Sequence, residues 1–299
     1  MTETDSSTAG GSPLLVRAGT EQEIAPGVYV LPDRRVNLVP NVGIVLGDDA
    51  VLVVDTGMGP ANGEIVRAEA RRLGGGRRTY LTLTHFHPEH GFGAQSFAGE
   101  AELVYNRVQA EELAESGREF IELFATFGPE VAELLEPVEL VQPDTTYEGR
   151  TELDLGGRTV RLQEFGGAHT RGDQVVLLPD ERVLVAGDLV ENRFFPIVFG
   201  VASGPAWIET LSQLEELGAA TVVPGHGEVA GPELIAQQRD YLIEVRDEVA
   251  AAVRRGEDAD AVAASLGPEL RSRYASWDNP EWIEFAIRDF HARAAAPPD

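Results

Sequence analysis

His85-Phe86-His87-Pro88-Glu89-His90 holds three of the six histidines of a 299-residue chain. The run follows a β-rich stretch, Thr79–Thr84, and precedes a segment that reads as a short helix over Phe92–Phe97. Side chains alternate along a strand end, so His85 and His87 point the same way. The turn that follows can bring Glu89 and His90 round to the same cavity. Imidazoles converging with a carboxylate, in a chain without cysteine, suit zinc, iron or manganese. The plain alternative is a histidine-rich surface loop with no ligand role.

The remaining histidines sharpen the reading. His169 lies in Gly166-Gly167-Ala168-His169-Thr170-Arg171-Gly172-Asp173, and His226 in Pro224-Gly225-His226-Gly227. Asp188 closes Ala186-Gly187-Asp188. Each follows a β-rich run in a glycine-rich turn, where a rigid scaffold presents chemistry. Taken singly, each is an ordinary turn. His291 reads as a plain side chain of the last helix.

Further out, Val28–Leu31, Gly43–Leu46 and Val51–Val54 read as strands, and so do Glu102–Tyr105, Thr151–Leu155, Thr159–Glu164, Gln174–Leu178, Arg182–Ala186 and Thr221–Val223. Helices are expected over Pro60–Leu73, stopped by Gly74-Gly75-Gly76, and over Pro205–Leu217. A helical stretch over 107–136 carries Phe120, Phe124 and Phe127, with a break at Gly128-Pro129. Two more helices are expected around Ile235–Val253 and Trp282–Phe290. The order predicts two sheets with helices packed outside, a layered α/β arrangement. Residues 1–18 read as a disordered tail, 19–255 as the main domain and 256–299 as a C-terminal helical extension.

Arg plus Lys number 24, all of them Arg, against 50 acids, for a formal charge of −26. Such a surface repels phosphate backbones and anionic membranes. The absence of cysteine excludes disulfides and thiol nucleophiles. No apolar run reaches the ~20 residues of a membrane span, and Met1–Ser6 shows no signal-peptide pattern. The expectation is a soluble cytoplasmic protein acting on a small molecule, without nucleic-acid or membrane partners.

The order Asp55-Thr56-Gly57, His85–His90, His169-Thr170, Gly187-Asp188 and Gly225-His226-Gly227 resembles the metallo-β-lactamase superfamily over roughly residues 25–230. One position departs: Glu89 stands where the family's His-x-His-x-Asp-His has Asp. The resemblance implies a four-layer αβ/βα sandwich, here with the helical insert and the C-terminal extension. It implies that His85, His87 and His169 hold a first metal, and His90 and His226, with the acid at 89, a second. Asp188 would be the bridging carboxylate, and Asp55 a carboxylate that orients a ligand histidine from behind. The bland reading of Asp55-Thr56-Gly57 is a strand end before a helix. Glu89 ligates in altered geometry, misses the metal and acts as a base, or leaves the second site weak.

The implied function is a metallo-hydrolase, zinc-dependent with iron or manganese as alternatives, acting on a thioester, ester, lactone or lactam through a metal-activated hydroxide. Glu89 and Asp188 are its catalytic candidates. The alternative is an iron-dependent oxygenase or oxidoreductase of the same fold, like the persulfide dioxygenases. Arg171, Asn192 and Phe195 are candidates for substrate binding. Arg171 equally suits an ion pair with Asp173 or another acid, and the apolar loop after Asn192 equally suits core packing. The Phe120–Phe127 helix reads as a lid, as core or as a homodimer contact. Tyr147 and Asn41 are weaker pocket candidates.

Overall fold

A computed structural model describes residues 12–295. Seven strands form the first sheet in chain order: β1 (Gln22–Ala25), β2 (Val28–Leu31), β3 (Val42–Leu46), β4 (Ala50–Val54), β5 (Arg78–Thr82), β6 (Ala101–Asn106) and β7 (Thr145–Tyr147). The second sheet runs β12 (Thr221–Pro224), β11 (Val183–Gly187), β10 (Gln174–Leu178), β9 (Thr159–Glu164), β8 (Arg150–Asp154). β1 to β4 and β8 to β11 pair antiparallel; β4 to β7, and β11 with β12, pair parallel. Parallel neighbours need crossover connections, which here carry helices.

The layers follow from alternation along the strands. Leu52 and Val54 of β4 face an inter-sheet core with Val160, Leu162, Val176, Leu178 and Val185. Val51 and Val53, on the other side of β4, pack against Val66 and Ala70 of α1 (Gly59–Gly74). β4 is therefore buried on both faces, which is why Ala50–Val54 reads as an unbroken apolar run. Outside the second sheet, Leu177, Leu184 and Ala186 meet Trp207 and Leu211 of α5 (Gly204–Glu216) and Tyr241 and Val245 of α6 (Glu233–Arg254). The result is the expected four-layer αβ/βα sandwich.

Between the β5 and β6 ends lies a four-residue helix, α2 (Pro88–Gly91), followed by a 3-10 turn over Ala94–Phe97. The insert comprises α3 (Arg107–Ala125) and α4 (Pro129–Leu135), broken at Gly128, whose φ of 148° suits only glycine well. Asn106 caps α3 by accepting the Gln109 N–H at 2.7 Å. At the C-terminus, α7 (Ala259–Arg273) and α8 (Ile283–Ala295) bury Leu270, Ile287 and Phe290 in the same core as Trp207.

Several expectations change. β5 stops at Thr82, so the histidine run starts in a bend rather than on the strand itself. Helix begins at Pro88, earlier than the expected 92–97, because proline's fixed φ suits a first helical turn. β1, β7 and α7 are additional elements. The tail expected over 1–18 lies outside the described residues up to residue 11. From Ser12 onward the chain is tied down: Val16 is buried, and its N–H donates to Asn62 Oδ1 at 2.6 Å. Among the described residues no helix is long and apolar enough to cross a membrane.

Candidate metal centre

The candidate ligands converge from loops at the carboxyl ends of strands in both sheets. His85 and His87 follow β5, Glu89 and His90 ride on α2, His169 follows β9, and Asp188 and His226 directly follow β11 and β12. Two groups form, His85 with His87 and His169, and Glu89 with His90, Asp188 and His226. Within each, the ligand atoms lie within 4.8 Å of one another. Asp188 spans them. Its Oδ2 is 3.8 Å from His85 Nε2 and 3.7 Å from His169 Nε2. Its Oδ1 is 3.1 Å from His90 Nε2 and 3.7 Å from His226 Nε2. One carboxylate oxygen faces each group.

The donor set fits a pair of divalent cations. His85 Nε2, His90 Nε2, Glu89 Oε2 and Asp188 Oδ1 are buried and lack any hydrogen-bond partner. Orphaned polar atoms of this kind are costly unless something absent from the protein atoms satisfies them. The far ring nitrogens are held instead. His90 Nδ1 is 2.9 Å from Asp55 Oδ2, and His226 Nδ1 is 3.0 Å from the Val39 carbonyl. Such partners fix the tautomer and leave Nε2 free for a cation.

Asp55 earns its place through strain. Its φ is 69°, uncommon for a non-glycine residue, and its Oδ1 accepts the Thr84 N–H at 2.7 Å while Oδ2 accepts the Thr84 hydroxyl at 2.8 Å. Behind His169, Asp173 accepts the His169 and Thr170 N–H groups and the Thr170 hydroxyl. Gly225 is required by close approach: a Cβ there would lie 1.9 Å from Asp188 Oδ1.

Electrostatics suit ligation. Burial, with neighbouring His90, holds His85 well below the usual histidine range, and burial with His169 does the same for His87. Burial pushes His169 down to about 4 and lowers His226. Lowered values of this kind favour the neutral ring, the state a cation requires. His90 goes the other way: burial opposes its charge, but Asp188 and Asp55 outweigh it and raise its pKa well above the usual range. Burial pulls Asp188 upward, but His90 and His226 outweigh it and hold the carboxyl well below the usual range. Burial pushes Glu89 up to about 7.

The substrate candidates fare differently. Arg171 is committed to acids: Nη2 is 2.6 Å from Glu115 and Nε is 3.5 Å from Glu112. Its partners are on α3, and Asp173 is engaged with the His169 turn instead. Phe195 is fully buried against Tyr241, Tyr274 and Trp277, so it is core, not pocket wall. Asn192 is buried and braces the His226 turn, donating Nδ2–H to the Glu228 carbonyl and its N–H to the His226 carbonyl. Asn41 braces the same turn through the Pro224 and Gly227 carbonyls, and the Tyr147 hydroxyl donates to Gln174. His291 hydrogen-bonds the Glu257 carbonyl, away from the centre.

One feature went unforeseen. Glu191 is buried with Oε2 unpartnered, and burial plus the nearby Asp188 charge raise its carboxyl well above the usual range. The only sequence signal was its position three residues past Asp188. The helix read as a lid, as core or as a homodimer contact places Phe120 against the centre, stacked on His87 at 5.0 Å between ring centroids and 21° between planes.

The comparisons agree with this geometry. A sequence profile of the metallo-beta-lactamase superfamily matches residues 36–226, and the chain belongs to that superfamily. It is 22% identical over 276 residues to a linear primary-alkylsulfatase of Pseudomonas sp., covering 76% of this chain and 52% of that protein. It is 28% identical over 104 residues to a metallo-beta-lactamase type 2 of Bacteroides fragilis, covering 33% of this chain and 42% of that protein. The chain thus spans about half the length of these relatives. A stereoselective inverting sec-alkylsulfatase of Pseudomonas sp. superposes with a TM-score of 0.70 at 16% identity, covering 91% of this chain and 50% of that one. A metallo-beta-lactamase from Pontibacter korlensis superposes at 0.61 and 19% identity, covering 75% and 98%.

Proposed function

We propose that the chain is a zinc-dependent hydrolase of small molecules bearing an activated ester-type group: thioester, ester, lactone or lactam. The alkylsulfatase relatives add the sulfate ester to that range. The observation that carries the reading is Asp188, with one oxygen toward each of two ligand groups. His85, His87 and His169 would hold the first cation, and His90, His226 and Glu89 the second. Bound there, the cations would supply an activated water as nucleophile and polarise the scissile group.

The protein's own part is positioning. Asp188 sets the spacing of the two seats. Asp55 and the Val39 carbonyl hold His90 and His226 in the tautomer that offers Nε2. The buried rings exclude bulk water, so charge developing on the substrate is stabilised in a medium of low dielectric.

Elemental analysis of the unsupplemented protein tests this, followed by a panel of thioesters, lactones, β-lactams and alkyl sulfates. The expected result is zinc at roughly one to two ions per chain and hydrolysis abolished by chelation. His87→Ala should lose metal and activity together. Iron accompanied by oxygen uptake, or His87→Ala with wild-type metal content, would overturn the reading.

A further inference from the structure

Arg35 stands in the loop between β2 and β3, and all five N–H donors of its guanidinium find acceptors. Nε and Nη2 reach Asp278 Oδ2 at 3.2 and 2.6 Å. Nη1 reaches Glu228 Oε2 at 3.0 Å and the Asn192 carbonyl at 3.1 Å, and Nη2 also reaches the Arg193 carbonyl at 3.1 Å. These acceptors come from three separate stretches: the loop after β11, the turn after β12 and the C-terminal region. Asp278 completes the joint with its backbone, donating its N–H to the Arg193 carbonyl at 2.8 Å and accepting the Phe195 N–H at 3.1 Å. Arg35 and Asp278 both lie outside residues 36–226, the span matched to the superfamily.

The joint sits directly behind His226. Asn192, whose carbonyl Arg35 engages, donates its own N–H to the His226 carbonyl at 2.9 Å and its side chain to the Glu228 carbonyl at 2.7 Å. The Arg35 loop itself supplies the Val39 carbonyl to His226 Nδ1 and the Asp33 carboxylate to the Gly227 N–H. Arg35 Cζ lies 4.7 Å from the centre of the buried Phe194 ring, and that ring lies 5.8 Å from His226. None of these contacts involves the His85–His87 bend or the His169 turn. Two of the joined residues are strained: Arg35 and Arg193 hold φ of 53° and 59°, left-handed conformations that non-glycine residues keep only where the surroundings over-determine them. An exposed ion pair alone would contribute little. Here the carboxylates share the guanidinium with two main-chain carbonyls, and the Arg35 side chain is only 25% exposed.

We propose that Arg35 is a positioning residue of the second seat. It acts on His226 through Asn192, Phe194 and the Val39 loop, and Asp278 fixes it in place from the C-terminal region. The affinity of the second cation then depends on a side chain that touches no cation and on a residue near the far end of the chain. This rests on the two-cation reading of the centre. Lysine cannot take over the role, because an ammonium offers three donors at one point where the joint uses five in a planar fork.

The test loads the full chain with zinc and withdraws it with a graded chelator, following the release of each ion, beside thermal unfolding. Wild type should release two ions in separate steps. Arg35→Lys keeps the charge and removes the fork; its second ion should bind about 10- to 100-fold more weakly, the first unchanged and the melting temperature little altered. Arg35→Ala should lose the second ion likewise and regain it in methylguanidinium, which a general loss of structure would not allow. Asp278→Asn, at an exposed position, reads the joint from its outer end. It should weaken the second ion by a smaller factor, since Arg35 keeps Glu228 and both carbonyls, and it decides alone where Arg35→Lys fails to fold. Variants that hold both ions as wild type does, or that weaken both alike while the melting temperature falls, overturn the inference and leave the two-cation centre standing. Wild-type protein that holds a single ion removes the second seat itself, and the positioning role with it.

Discussion

Glu89 carries one methylene more than the aspartate usual at this position, about 1.5 Å of chain. Metal–oxygen bonds tolerate only about 0.2 Å, so a glutamate at this position reaches a cation only in a geometry different from that of an aspartate. Glu89 rides on α2, and its carboxylate lies among His90, Asp188 and His226 with Oε2 unpartnered. Glu89→Asp should withdraw the oxygen from that seat: calorimetric titration should show the second zinc weakened at least about tenfold, the first unchanged. Equal affinities for both ions would remove Glu89 from the seat. Asp55→Asn tests the orienting role. It leaves the volume intact but replaces a carboxylate facing His90 Nδ1 and two donors of Thr84. The expected loss in second-ion affinity is about 10- to 100-fold. At this scale the histidines were legible because six in the whole chain make a cluster conspicuous. Glu191 was not, because it is one of 50 acids and only the fold shows that its carboxyl is buried. Arg171 was half legible: an ion pair was foreseeable, but its partners, Glu112 and Glu115, lie more than fifty residues away on α3.

The elements that hold the site are pressed together more tightly than periodicity reveals. α1 crosses the segment after α2 so closely that a Cβ on Gly63 would lie 2.1 Å from the Gly93 carbonyl oxygen. Thr56 accepts the Gly93 N–H from the same side, and its own hydroxyl donates to the His90 carbonyl. Backbone thus meets backbone behind the α2 ligands, the Gly93 carbonyl being the nearest group to that Cβ. Gly63→Ala should therefore destabilise by about 1–3 kcal/mol through overpacking. In thermal unfolding that is a fall of several degrees for a chain of this size. An unchanged melting temperature would mean the helix slides freely. Long apolar periods such as Val66–Ala70–Leu73 and Trp207–Leu211–Leu214 made α1 and α5 legible within a residue or two. α2 and β7, with four and three residues, are too short to carry a period, and tertiary contacts alone define them. α7 was obscured by Gly267-Pro268 inside it, although Val262, Leu266 and Leu270 recur every fourth residue on its buried side.

On the scale of the molecule, the seats lie where the two sheets meet, so anything that loosens the sandwich moves one ligand group against the other. A chain of charge −26 also repels itself, and moderate salt should raise its melting temperature by screening. The composition made that field legible; it could not show how the C-terminal region joins the whole. Residues 256–299, read as a C-terminal helical extension, pack into the body: Val262, Leu266, Leu270, Ile283, Ala286, Ile287 and Phe290 share a core with Trp207, Leu211 and the second sheet. Tyr274 and Trp277 close over Phe195 and Tyr241, and Asp278 pairs with Arg35 beside β2. Burying each large apolar side chain contributes about 1.5–3 kcal/mol, against a total stability of only about 5–15 kcal/mol for a typical protein. Ending the chain after Arg255 would strip α5, α6 and the outer face of the second sheet at once, and with them the scaffold of Asp188 and His226. The truncated chain should lose its cooperative melting transition and bind a hydrophobic dye. A truncated protein that melts cooperatively within a few degrees of the full chain would show instead that the last two helices are a separable layer.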